Sequence, residues 1–168
     1  RGIWILDDMG AMEAFDAAAM AAPAALAPIP PAYQIVTNSP QAWFGTGTFF
    51  APNPDFGASI SYHLNSAKAN VEITVSDRFG RVVRTLQGPG AAGVNHVSWD
   101  LRAQPPAPAA DAAAGGRGGA AGRGGGGGGR GGAQGALVEP GTYIITITVP
   151  GVATPLKGEV KVSADPWS

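Results

Sequence analysis

The residues that could do chemistry in this chain are few, and none stands in a pattern that a reaction needs. Asp7 and Asp8 are adjacent carboxylates that could attract a cation, but no third ligand lies nearby, and Asp8 is also a plausible helix N-cap. His63 and His96 are the only histidines, and alternation places both on the outward side of predicted strands, so we expect solvent-exposed side chains. The chain has no cysteine, and no serine stands in a Gly-x-Ser-x-Gly elbow. The sequence therefore predicts no catalytic residue, metal site or cofactor, and a protein that is not itself an enzyme.

Composition narrows the function classes further. The 168 residues include 26 glycines and 15 prolines, and the formal net charge is −1. A chain so close to neutrality lacks the broad positive field that draws proteins onto nucleic acid or anionic lipid. The most apolar segment, residues 17–29, is interrupted by Pro23 and Pro28 and is too short to cross a bilayer. We expect one domain with appendages and no membrane span of its own.

The elements that would position any site are β-strands. Apolar and polar residues alternate strictly in six short segments, separated by turns rich in Gly, Pro, Asn and Asp: 58–64, 71–76, 81–86, 96–101, 143–149 and 159–163. Period-two alternation is typical of strands with one buried face. Six such strands at this spacing predict an all-β protein with an antiparallel β-sandwich over residues 47–165.

A glycine-, proline- and alanine-rich insertion, residues 102–136, interrupts the predicted sandwich. It holds no apolar side chain larger than alanine, so we expect a long surface loop. Its arginines, Arg117, Arg123 and Arg130, are flanked by glycine as in some RNA-binding segments, but no Phe or Tyr stands between them. Three arginines supply only about three phosphate contacts. We therefore predict electrostatic anchors for a protein partner and no nucleic-acid binding.

Residues 9–46 form an alanine- and proline-rich connector, or N-terminal arm. We predict one helix over residues 9–22, with Met9, Met12, Phe15 and Met20 near one face, followed by an extended, polyproline-like path. Burial on the following domain is the interpretation we favour, over a ligand platform, for four aromatic residues near the end of the connector: Trp43, Phe44, Phe49 and Phe50. If the arm docks on a partner, the contact residues would be these aromatics together with Met12 and Phe15.

Four runs of sequence, in order, resemble one known family. They are GIWILDD near the start, Asn53 to Leu64, Asp77 to Arg102, which ends in WDLR, and Glu139 to Val149, which contains PGTY. They are similar to the C-terminal region of large exported bacterial β-propeller proteins of the sortilin-like, BNR-repeat type, often labelled glycosyl-hydrolase-like. The resemblance implies that residues 1–8 are the closing strand of a propeller and that residues 9–46 are a linker. It also implies that residues 47–165 are an immunoglobulin-like or fibronectin-III-like domain in the periplasm or outside the cell.

Two function hypotheses follow. In the first, the chain is a non-catalytic structural or interaction module that docks through its arm and glycine-rich loop onto a larger extracytoplasmic assembly, which could be membrane-associated. In the second, it is the accessory C-terminal domain of an exported propeller protein whose activity lies upstream. Carbohydrate binding would need exposed aromatic residues, for which Trp167 is the one candidate.

Overall fold

The computed structural model describes residues 9–35, 56–105 and 135–165. These ranges fold mainly into β-strands arranged in two sheets, with two one-turn helices near the start, so the all-β prediction is confirmed. The helices are α1 (Gly10–Ala14) and α2 (Ala17–Ala21). The strands are β1 (Ala24–Leu26), β2 (Ala32–Tyr33), β3 (Ala58–Leu64), β4 (Val71–Asp77), β5 (Val82–Gly88), β6 (Gly93–Trp99), β7 (Gly141–Thr148) and β8 (Leu156–Ser163).

The smaller sheet has the order β1-β3-β6, and the larger has the order β2-β8-β7-β4-β5. Every pairing is antiparallel except that of β2 with β8, which is parallel. The sheets enclose one core, in which Tyr62, Trp99 and Ile145 are completely buried. In five of the six segments the apolar positions predicted to face inward are buried, except Val97, which is partly buried against the core. In segment 81–86 no position is fully buried, and Val83 and Leu86 are only partly buried. Alternation works here because successive side chains of a strand point to opposite faces.

The predicted single helix over residues 9–22 is wrong in its continuity. The chain forms two five-residue helices that are broken at Phe15 and Asp16. Asp16 has an extended backbone, and its Oδ1 accepts a hydrogen bond of 2.8 Å from the Ala19 amide, so it is the N-cap of α2. Asp8, the predicted cap, lies outside the described residues.

The proline-rich path after α2 also differs from the prediction, because it is paired rather than polyproline-like. β1 pairs with β3, and β2 pairs with β8, so the connector gives one short edge strand to each sheet. The prolines at 23, 28, 30 and 31 flank these strands and do not interrupt them. Proline at the ends of short edge strands leaves no ladder donor missing.

Among the described residues, no helix has the length and apolar character needed to cross a membrane, in agreement with the prediction of no membrane-spanning segment.

Candidate functional site

The residues that flank segments 36–55 and 106–134 lie at one end of the sandwich, which we call the connecting end. β2 ends beside the last residue of β8, where Tyr33 pairs with Ser163. On the smaller sheet, the first residue of β3, Ala58, pairs with Trp99, the last residue of β6. The Trp99 ring meets the ring of Tyr143, near the start of β7, edge-on with a centroid distance of 5.4 Å. The residues that flank segments 36–55 and 106–134 therefore lie at the same end of the sandwich.

The two sides of the insertion are joined at its base by a short antiparallel stem. The Ala103 amide donates to the Ala136 carbonyl at 2.8 Å, and the Val138 amide donates to the Leu101 carbonyl at 2.9 Å. Between these two bonds, Arg102 forms a bridge with Leu137. The chain thus leaves and re-enters the sandwich at one point, so the length of the insertion is not constrained by the strands it connects.

The stem is closely packed. A Cβ atom at Gly135 would lie 1.8 Å from the Ala103 carbonyl oxygen, so only glycine fits there. The Arg102 Nη1 donates to the Gly135 carbonyl at 3.0 Å, and the indole nitrogen of Trp99 donates to the Arg102 carbonyl at 2.9 Å. Gln34 adds a contact from the connector, because its Nε2 donates to the carbonyl of Val138. Both appendages are therefore tied to the connecting end through backbone carbonyls.

Tyr143 fixes the turn into β7 at this end. Its hydroxyl donates to the Glu139 carbonyl at 2.7 Å, and the side chain is almost completely buried. Burial raises the pKa of the Tyr143 phenol, and the negative charges of Glu139 and Asp77 raise it further. The hydroxyl therefore remains a hydrogen-bond donor throughout the physiological pH range.

The turn between β4 and β5 also lies at the connecting end. The Asp77 Oδ1 accepts from the amides of Phe79 and Arg81, each at 2.9 Å, and Oδ2 forms a 2.7 Å ion pair with the Arg81 Nε. Desolvation raises the pKa of the Asp77 carboxyl, but the hydrogen bonds and the charge of Arg81 lower it by more, so that this pKa lies below its ordinary value. The turn presents Phe79, 71% exposed, beneath the guanidinium of Arg78 at 4.7 Å.

Exposed apolar side chains gather around this end. We call the following set the end surface, and all of its members are among the exposed large hydrophobic residues: Tyr33, Ile35, Phe56, Phe79, Val82 and Leu137. They come from the exit of the connector, the start of β3, the β4–β5 turn and the insertion stem. Large exposed apolar side chains concentrated at one end of a domain are a feature of many protein interaction sites.

The predicted contact residues are divided between two places. Met12 is 64% exposed on α1, but Phe15 packs on the molecule itself, with its ring centroid 6.1 Å from that of His63. His63 lies five residues along β3 from Ala58, roughly 17 Å from the connecting end by strand rise. The structure therefore does not bring Met12 and Phe15 to the end surface. The other predicted contact residues lie outside the described residues: Trp43, Phe44, Phe49, Phe50, Arg117, Arg123 and Arg130.

The prediction that His63 is solvent-exposed is wrong. His63 is only 4% exposed, because β1 lies beside it in the sheet and Phe15 covers its outward face. Its Nδ1 is buried without a hydrogen-bond partner among the described residues. His96 is exposed as predicted, and its Nδ1 lies 3.3 Å from the Ser61 Oγ on the same face. No group of three His, Asp or Glu side chains that could hold a metal occurs within the described ranges.

A shallow cleft of about 450 Å³ lies between α1 and the segment that follows β1. Glu13 is the single charged residue of its lining, which otherwise consists of Gly10, Ala14, Pro28, Ile29 and Pro30. An acid/base reaction needs a second polar group that converges on the substrate, and this cleft offers none from the described residues. The end surface is therefore the stronger candidate site.

Sequence reasoning missed the end surface, although one signal was present. Phe79 stands inside an Asp-Arg-Phe-Gly turn, where a large apolar residue has no strand face to occupy. No protein-family model, curated protein or solved structure matches this chain. The function of the chain must therefore be inferred from its geometry and its sequence motifs.

Proposed function

We propose that this chain is a non-catalytic structural or interaction module that docks with its connecting end on a protein partner in a larger extracytoplasmic assembly. One observation carries the proposal. The boundaries of segment 36–55 and of the glycine-rich insertion meet at the end where Phe79, Val82 and Leu137 are exposed. A partner at this end could contact the apolar surface and both segments at once, which would bury more area than either segment offers alone.

The end surface also favours a particular kind of partner. Arg78 lies over Phe79, and its guanidinium is not part of an ion pair with a described residue. The arginines of the insertion, Arg117, Arg123 and Arg130, would add positive charge if they reach the same partner. We therefore expect a partner surface that is apolar at its centre and carries carboxylates around it.

An immunoglobulin-like classification of the sandwich supports this role. The two sheets have the strand order of an immunoglobulin domain if β1, β3 and β6 are assigned to its strands A, B and E. In the larger sheet, β4, β5, β7 and β8 then correspond to strands C, C′, F and G. The parallel pairing of β2 with β8 is what an A′ strand makes with G. The Tyr143 hydroxyl bonds to the carbonyl four residues upstream, as the tyrosine corner of that fold does. On this assignment the insertion is the E–F loop.

Site-specific photo-crosslinking in the source organism tests the docking site. A crosslinking residue at Phe79 or Leu137 should capture a defined partner protein, whereas one at Met20, which is exposed on α2 at the opposite end of the sandwich, should not. Exchange of residues 106–134 for a short Gly-Ser linker should leave the thermal unfolding unchanged, because the stem is closed by residues 101–103 and 136–138. Equal capture from all three positions, or none from the connecting end, would refute the docking site.

The second candidate, an accessory domain of an exported propeller protein, is supported by the GIWILDD run and by the family resemblance. Both candidates place the chain in the periplasm or outside the cell. Intact-mass measurement of the protein from its source separates them. A mass near 16.8 kDa would exclude an attached propeller.

A further inference from the structure

β6 is an edge strand of the smaller sheet, and no described segment covers its free side. It pairs with β3 over its whole length, from Gly93 to Trp99, and with no other described strand. None of its backbone groups is hydrogen-bonded to a residue of the described loops. The strand contains no charged residue and no proline, and Val94 is 59% exposed. A strand of this kind is a template for pairing with another chain, which proteins usually prevent at edges that have no function.

The other described edge strands are protected against pairing with another chain. On β5, the Val83 carbonyl accepts a 2.8 Å hydrogen bond from the Gln104 amide, and a bulge at Val83 disturbs the ladder. Pro105 follows Gln104 at once and cannot extend this pairing. The edge strands β1 and β2 are only three and two residues long. Within the described ranges, β6 is thus the one long edge that lacks protection.

The side of the sandwich next to β6 offers two kinds of contact. Edge strands β5 and β6 lie in opposite sheets, and their inward side chains Leu86 and Val97 are only partly buried against the core. Arg84 pairs with the buried Val75 and therefore also points toward the smaller sheet. Its Nη1 donates to the Ala103 carbonyl at 3.1 Å, just beyond the end of β6. We call this region, lined by Arg84, Leu86 and Val97, the seam.

Arg84 brings a positive charge to the seam that no carboxylate of a described residue balances. The single ion pair among the described residues joins Arg81 to Asp77, and the Nε of Arg84 is buried without a hydrogen-bond partner. An unpaired guanidinium in a partly buried site gains more from a carboxylate than an exposed one does. An occupant of the seam should therefore carry an acidic side chain near the Arg84 end.

We propose that β6 binds an extended segment of a partner protein, which adds a fourth strand to the β1-β3-β6 sheet. Main-chain hydrogen bonds to β6 would supply affinity. The inward side chains of the added strand would be apolar against Leu86 and Val97, with one carboxylate facing Arg84. A second copy of this chain fits less well, because β6 contains no carboxylate and a β6–β6 pair would leave Arg84 unbalanced. This site lies along the edge of the smaller sheet and does not depend on the docking of the connecting end.

Synthetic peptides test the proposal with the intact chain. The probe is a fluorescein-labelled peptide of about nine residues, slightly longer than β6, that alternates threonine with valine. In a series, aspartate replaces one valine at a time, and lysine replaces the same valine in a matched series. Fluorescence anisotropy should show that the best aspartate peptide binds about tenfold more tightly than its lysine counterpart, a difference of about 1.4 kcal/mol. R84Q should abolish this preference, whereas R78Q, at the β4–β5 turn, should preserve it.

Two further measurements locate the added strand. N-methylation of alternate peptide amides should abolish binding for one set of positions and preserve it for the other, because only one edge of the peptide faces β6. Bound peptide should slow amide hydrogen exchange in β6 and leave exchange in β5 unchanged.

Three outcomes would overturn the proposal. They are the absence of binding by every peptide of the aspartate series, protection of β5 in place of β6, and sedimentation that shows a dimer which excess peptide cannot dissociate. The last result would identify a second copy as the occupant of the edge.

Discussion

Replacement of Tyr143 by phenylalanine removes one hydroxyl from the turn that closes the connecting end. That hydroxyl donates a 2.7 Å hydrogen bond to the Glu139 carbonyl, and the side chain is only 7% exposed. A neutral hydrogen bond contributes about 0.5–1.5 kcal/mol, and a buried carbonyl that is left without a donor costs about 1–3 kcal/mol. Water can reach part of this turn, so we expect Y143F to lower the free energy of unfolding by about 1–2 kcal/mol. In a chain of this length each kcal/mol lowers Tm by roughly 3–5 °C.

Urea unfolding followed by far-ultraviolet circular dichroism measures the loss, with Y33F as the matched control. Tyr33 is 46% exposed, and its hydroxyl has no hydrogen bond to a described residue, so Y33F should leave the urea midpoint unchanged. Equal midpoints for Y143F and Y33F would show that the Tyr143 bond does not stabilise the fold. A changed urea slope for Y143F alone would instead indicate that the native or denatured state had become more or less compact.

Three further changes test other parts of the structure. G135A should open the insertion stem, because its Cβ would lie 1.8 Å from the Ala103 carbonyl; amide exchange at Ala103 should accelerate while the strands remain protected. Burial raises the pKa of Tyr62 to about 12. The neutral phenol therefore contributes fully to the free energy of unfolding below the unfolded pKa near 10, and this contribution is lost as the pH rises through the folded value. Y62F should reduce that alkaline loss in pH-dependent urea unfolding, with the remainder coming from Tyr143, whose pKa is also raised. An undiminished loss would show that Tyr62 does not contribute to it. H63L should be neutral or stabilising by about 1–2 kcal/mol, because the Nδ1 of His63 is buried without a partner; a marked loss in thermal unfolding would contradict this reasoning.

The acid side of the stability profile has a separate origin in the β4–β5 turn. The Asp77 carboxyl has a lowered pKa, so the bonds it accepts stabilise the turn above its ordinary pKa and are lost as pH falls through the folded value. D77N should therefore reduce the acid dependence of unfolding measured by circular dichroism. An unchanged acid limb would show that the turn does not contribute to it.

Alternation predicted the strands well because it depends on neighbours along the chain. Ile60, Ile73 and Ile145 occupy inward positions that period two alone specifies, and all three are completely buried. The same rule failed for His63, because an outward position says nothing about what a distant segment places over it. Phe15 covers that position from 48 residues upstream, and no local pattern predicts such a contact.

The candidate site also depends partly on local sequence and partly on contacts between distant residues. The composition and order of residues alone determined that the chain is all-β, that glycine and proline concentrate in appendages, and that Phe79 stands in a turn. The tertiary structure decided where those appendages are joined, because strand order and the stem at Arg102 and Leu137 bring separate boundaries to one end. It also decided which edge is uncovered, since Gln104 protects β5 while no described residue pairs with the free side of β6. Contacts between residues far apart in sequence depend on the whole packing arrangement, and neither alternation nor composition contains that information.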